Sequence, residues 1–474
     1  MELDIRRPLR EGLARVHADP APPTPPPLLH ASRHFLGAAP TCISPLPFAP
    51  PSAAAAAAAA DGGSSTLLAH RLLALGTWKQ DAEQHRLSVF DLGVRLRTAD
   101  GAVSGAAPEE LTSWVPPGRV TALATATALN SSAQAPPGAG GQPRAAAVLL
   151  ASTAAGALCR LRLALPTTPG AGPGDVDLLG LGTDCAGTDL VPWLWPGGES
   201  GPALTAVDAA AGAPLAAVAG ADGRVSLVRL DDASEGRALS ALAPPRPGTA
   251  LSAVRFVGGG GGGGEGGGGG EGGGGGGGAT VAAAGSGGLE VWDGRAAPGP
   301  TPAARAGFGG SASGWPFPDG RPTCLATHPA IPYLIAAGGG GGVVALWDVR
   351  GGRGGPAPTS SSSACLSSPV ATAAAPSRST VWDVAFDQAA SRAGAAGPGV
   401  LFVTEGGELA AAGLLGSGHG SSNGSGSGVP PTASLLHREP SGGAVALGLG
   451  PGGEVYVPTD GECLLFVRRG GVGV

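Results

Sequence analysis

Few residues in this chain have types and spacings that could do chemistry. Catalysis asks for a nucleophile beside a base, a pair of carboxylates, or a metal-binding cluster. His328 is followed by Pro329, and a His-Pro pair after an apolar run reads as a turn element. The acidic stretch "GTDCAGTD" (182–189) lacks a spaced partner set and reads as loop. Six cysteines (42, 159, 185, 324, 365, 463) form no C-x-x-C pair, so reduced thiols, several inside strands, are expected rather than zinc or redox chemistry. Gly-rich phosphate loops are matched trivially within residues 258–278, but no strand–loop–helix context and no Lys-Ser/Thr accompanies them. The expectation is a protein without catalytic residue, cofactor or metal, and not an enzyme. What remains is aromatic and ionic. Trp-Asp-x-Arg occurs twice, as Trp292, Asp293 and Arg295, and as Trp347, Asp348 and Arg350. Trp382 and Asp383 repeat the Trp-Asp pair, and Trp193 with Trp195 stands between prolines in "VPWLWPGGE". The last two are candidate partner anchors, with core packing as the alternative.

Composition narrows what can position these residues. Net charge is −6 and no basic cluster exists beyond "IRRPLR" and the terminal "VRR", so no positive face for nucleic-acid phosphates is expected. The N-terminus is charged and lacks the apolar core of a signal peptide. No run is long and apolar enough to span a bilayer, and the expectation is a soluble intracellular protein without direct membrane contact. A Pro-rich stretch, eight consecutive alanines (53–60), the Gly/Glu run 258–278 and two Ser/Gly-rich segments bury little apolar surface. Setting them aside leaves roughly 300–330 patterned residues, enough for one large all-β domain. One Lys stands against abundant Arg, Ala and Gly, which reads first as compositional drift of a GC-rich genome.

The patterned part repeats. "PYLIAAGGGGGVVALWDVRGG" (332–352) is two short apolar runs separated by Gly, an antiparallel hairpin ending in Trp-Asp. Residues 74–92, 146–163, 214–230, 280–295, 400–414 and 454–469 follow the same plan, with Asp222-Gly223 read as a type I′ turn. Most are preceded by one more alternating run, such as "VTALATATAL", "LSAVRFV" and "TVWDVAFD". Strand, turn, strand, Gly-rich turn, strand, then a variable outer strand is the unit of a WD40-type β-propeller blade. The fold class predicted is all-β: a single seven-bladed WD40-type propeller over 67–469 with long low-complexity loop insertions. Residues 258–278 are read as a disordered loop, and 351–378 and 415–434 as flexible insertions. Trp292 and Trp347, ending third strands, should fill space between blades, with Phe90, Val228 and Phe466 as looser versions. The chain runs out after the third strand of blade seven. Its missing strand is predicted to come from "EGLARVHAD" (11–19) within an N-terminal segment 1–19, followed by a Pro/Ala-rich linker 20–66 and ending in a flexible tail 470–474.

In order, "ALGTWKQDAEQHRLSVFDL", "DGRVSLVRLD…LSAVRFV…GGLEVWDGR", "CLATHPAIPYLIAAGGGGGVVALWDVR" with "VWDVAFD", and "EVYVPTDGECLLFVRR" resemble the WD40-repeat nucleoporin of 43 kDa. That family is a subunit of the Y-shaped outer-ring complex of the nuclear pore. The resemblance implies a non-enzymatic scaffold at the nuclear envelope, monomeric within a hetero-oligomer. It would bind other nucleoporins, above all an α-solenoid subunit, and support protein and mRNA transport. The sequence departs from the family in its insertions and in "LAAAGL", where blade six ends without a Trp. A different class competes: the W-D-x-R boxes at 292–295 and 347–350 resemble those of propellers that act as substrate receptors of cullin-RING ubiquitin ligases. In that reading Arg295 and Arg350 contact the adaptor.

Overall fold

The computed structural model describes residues 29–46, 68–69, 72–79, 82–92, 94–96, 103–105, 108–127, 146–164, 201–211, 213–230, 238–246, 248–257, 279–294, 302–306, 315–318, 321–349, 364–366, 368–387, 399–413, 432–440, 442–450 and 454–469. The strands form seven sheets that stand as blades around an axis, plus a small three-stranded sheet made of Leu68–Ala69, Val94–Leu96 and Val103–Gly105. All seven expected hairpins are present. From blade one to blade seven, the second and third strands are Leu72–Lys79 with Gln84–Asp91, Ala146–Thr153 with Leu158–Ala164, Leu215–Gly220 with Val225–Arg229, Thr280–Gly285 with Gly288–Asp293, Leu334–Gly339 with Val343–Asp348, Gly399–Thr404 with Glu408–Gly413, and Val455–Thr459 with Cys463–Arg469.

First strands line the centre and touch one another in sequence. Ala39–Pro45 meets Val120–Thr127, which meets Leu204–Ala209, then Leu251–Val257, Pro322–Thr327 and Val381–Asp387. In six of the seven blades the second strand also packs on the next blade's first strand, and that contact explains its composition. Ala216, Ala217, Ala219, Ala282, Ala283, Ala284, Ala336 and Ala337 are fully buried between blades. At Gly338 even a Cβ would press on Val381 and Cys324. Small residues let two backbones approach at these places, so the alanines of second strands are structural and not compositional drift alone.

The ring is closed by the N-terminus, though by a different segment from the one read in the sequence. Leu29–Phe35 pairs antiparallel with Cys463–Arg469, in register from Leu29↔Arg469 to Phe35↔Cys463. It occupies the edge assigned above to 11–19, which lie outside the described residues. The stretch 20–66 therefore holds two strands, the closing strand and blade one's first strand Ala39–Pro45. Prolines hid both. Pro40 and Pro45 sit at the ends of the second strand, and Pro40 lies beside a bulge, where a missing N–H is tolerated. The Phe35 side chain is exposed, yet Leu36 N–H donates to the Glu462 carbonyl and continues the closure.

Insertions obey the same economy of pairing. Val257 pairs with Thr280, so the Gly/Glu run, itself outside the described residues, joins two adjacent strands of blade four. The segment 351–378 is not wholly loop. Ala364–Cys365 adds a fifth, parallel strand to blade four, and Ala371–Ala374 is the outer strand of blade five. Blade two shows three strands among the described residues. The turn at Asp222-Gly223 is not type I′: only Gly223 has positive φ, and Gly223 N–H donates to the Gly220 carbonyl, a type I turn followed by one left-handed residue. Asp222 reinforces it by accepting the Arg224 N–H and pairing with its guanidinium at 3.0 Å.

Candidate interaction face and central channel

The first strands share an irregularity that shapes one face of the ring. In six blades a β-bulge near the strand start leaves one residue without a partner across the ladder: Thr41, Thr121, Thr205, Ser252, Thr323 and Trp382. A bulge re-aims its side chain. Five of the six carry a hydroxyl, and three of those hydroxyls reach the next blade. Thr121 donates to the Leu204 carbonyl at 2.8 Å, Ser252 to that of Pro322 at 2.9 Å, and Thr323 to that of Val381. Thr205 bonds within its own blade, to Ala219. These bonds stitch neighbouring blades near the axis.

Blade six breaks the rule. Its bulge residue is Trp382, which is 45 % exposed and fills no space between blades. The inter-blade bond lost there is supplied by the adjacent Asp383. Its carboxylate accepts the N–H of Val384 and, across the blade boundary, that of Leu447, both at 2.9 Å. Asp208 does the same between blades three and four, accepting the Phe256 N–H at 2.8 Å. Arg255 approaches Asp208 at 4.0 Å within the channel. Burial pushes both carboxyls above the ordinary range, opposed by Arg255 and by the backbone N–H donors. The arrangement binds blades together.

The other Trp-Asp pairs behave as the sequence implies. Trp292 is 3 % exposed and packs among Ala217 and Leu227 of blade three and Val281 of blade four. Trp347 is 1 % exposed, between Ala282 and Val291 of blade four and its own blade. Trp315 and Phe317, from the connection entering blade five, lie over Trp347 at 6.2 and 6.0 Å between ring centroids. Arg246 lies over the Trp292 ring at 5.8 Å while making two hydrogen bonds, of 2.7 and 2.6 Å, to the buried Glu290. Asp293 and Asp348 end their third strands, half-buried. Phe90 and Val228 occupy the equivalent boundaries in smaller clusters, whereas Phe466 departs from the expectation and packs with Tyr456 on the cluster between blades seven and one, the opposite side of its blade. Arg295, Arg350, Trp193 and Trp195 lie outside the described residues.

His328 is structural: its Nδ1 accepts the N–H groups of Ala330 and Ile331, its ring meets Phe386 edge-on, and burial lowers its pKa. Cys42, Cys159, Cys324 and Cys463 are free and buried. Burial pushes the Cys42 thiol up to about 12 and the Cys159 thiol up to about 11, so both stay protonated. Among the described residues no three His, Cys, Asp or Glu side chains stand close enough to hold a metal ion. Among them, too, no helix is long and apolar enough to cross a membrane.

The bulge position has a signal of its own in the sequence. Aligning "PTCISP", "VTALAT", "LTAVDA", "LSAVRF", "PTCLAT" and "VWDVAF" exposes a column of hydroxyls with one Trp. That column was the available signal. No protein-family model matches the chain, and no curated protein matches it.

Proposed function

We propose that this propeller is a non-enzymatic scaffold that holds other proteins. The observation that carries the reading is a closed ring whose blades are tied by Thr121, Ser252, Thr323, Asp208 and Asp383 and whose one irregular bulge presents an indole to solvent. A rigid frame with an exposed aromatic suits binding, because little ordering entropy remains to be lost on association. The finer reading is a subunit of the nuclear pore's outer ring that binds an α-solenoid nucleoporin and supports protein and mRNA transport. Its support is the order of the four segments that resemble the 43-kDa nucleoporin, each of which falls on a hairpin of the ring.

The test is affinity purification of the tagged full-length chain from its own cells at moderate salt, with mass spectrometry of the bound proteins. Outer-ring nucleoporins in near-equal amounts are expected. A cullin with its propeller adaptor, lost on Arg295→Ala with Arg350→Ala, would replace this reading by the ligase one.

A further inference from the structure

Trp382 stands where five other blades carry Thr or Ser, and Asp383 has taken over the bond between blades that three of those hydroxyls make. The ring therefore does not need the indole for its own closure. Its exposure leaves apolar area in water at a position that a hydroxyl fills elsewhere without that cost.

The surroundings are ordered and charged on two sides. Toward blade five, Arg378 is exposed and held at φ +60, a left-handed backbone that a glycine would adopt more easily. Its backbone packs against the turn glycine Gly342, and exposed Arg321 sits below the same turn, its carbonyl accepting Gly340 N–H. Toward blade seven lie exposed Glu405 and Asp460. Gly443 fits between them, where a Cβ would press on the Glu405 carbonyl and approach the Asp460 carboxylate at 3.3 Å. Glycines at 341, 342, 406, 442 and 443 pave the turns on the two sides of this strand start. Followed through these backbone contacts from blade five to blade seven, the exposed side chains come in the order Arg321 and Arg378, Trp382 at its strand start, then Glu405 and Asp460.

We propose that this run of side chains is the docking surface for a protein segment that carries a bulky apolar residue between an acidic and a basic side chain. The apolar residue stacks on Trp382, the acid faces Arg378 and Arg321, and the base faces Glu405 and Asp460. The proposal rests on the scaffold reading and names the chemistry of the partner. The bipolar charge disfavours nucleic acid, whose phosphates Glu405 and Asp460 would repel, and fixes the direction in which the segment lies.

The experiment uses the full-length chain and the partner it retains in near-equal amount. Trp382→Thr restores the residue type found in five other blades, so the ring is expected to melt within a few degrees of the unaltered protein. Partner binding is expected to fall by at least about thirty-fold, the scale of a buried aromatic anchor. Arg378→Glu should weaken it less, and more strongly at low salt. A photo-crosslinking aromatic amino acid at position 382 should capture a segment with an apolar residue flanked by opposite charges. Unchanged affinity of Trp382→Thr for a retained partner, or crosslinks to a wholly polar segment or to RNA, would overturn the docking surface and leave the scaffold standing. An unaltered chain that retains no partner in near-equal amount would remove both.

Discussion

Trp347 shows what a single residue contributes to this ring. It is nearly inaccessible and is sandwiched between blade four, its own blade and the rings of Trp315 and Phe317. Trp347→Ala should cost about 3–5 kcal/mol, because rigid sheets on both sides cannot collapse into the space. A lowered urea midpoint with an unchanged slope would report it. Two carboxylates predict opposite pH behaviour. Glu408 is buried, which alone would raise its pKa, but hydrogen bonds from Ser377 and Arg438 outweigh burial and hold it below the usual value. Its stabilisation is present above the unfolded pKa and lost as pH falls through the folded one, so the gap between wild type and Glu408→Gln should narrow on acidification. Asp383 is raised, so its protonated form is favoured in the folded state. Wild type should gain on Asp383→Asn as pH falls through that raised value, and the gain should level off below the unfolded one. Denaturant midpoints between about pH 2.5 and about pH 7 check both signs. Trp292 and Trp347 were legible as packing residues because a Trp closing an alternating strand has one large buried slot to fill. Trp382 was not, since the same dipeptide at a bulge points elsewhere.

At the scale of elements, hairpins were readable and edges were not. Alternation over five to eight residues with Gly between is a local signal, and all seven hairpins carry it. The closing strand Leu29–Phe35 is defined by a partner more than 400 positions away, and its own sequence, "LHASRHF", has weak alternation. Truncation separates the two assignments. A chain beginning at residue 28 keeps the strand that pairs with Cys463–Arg469 and should unfold in one transition at an unchanged temperature. Removing residues through 37 takes the closing strand away and should lower that temperature. It should also make Cys463 reactive to a thiol reagent in the native state. Cys463 is now buried, paired with Phe35 and hydrogen-bonded by the Arg33 guanidinium. Replacing 258–278 by a four-residue turn should stabilise the protein by only about 1.5 kcal/mol, because loop-closure entropy grows slowly with length.

For the whole molecule, closure matters more than any blade. Bonds between successive first strands, one blade to the next, hold the ring near its axis, while hydrophobic clusters at each boundary hold it farther out. Such a frame changes shape little on binding, which suits the proposed scaffold. The purification described above should recover partners with stoichiometry set by the ring rather than by its insertions, and deleting 258–278 should leave that set unchanged. The sequence by itself determined the all-β class, the seven hairpins and the packing of Trp292 and Trp347, because period-two alternation and glycine turns act between near neighbours. Only the tertiary structure decided which N-terminal segment closes the ring, why second strands hold alanine, and that Trp382 faces water. Each of these depends on where a distant backbone passes, and a strand's own pattern of apolar and polar residues carries no record of that.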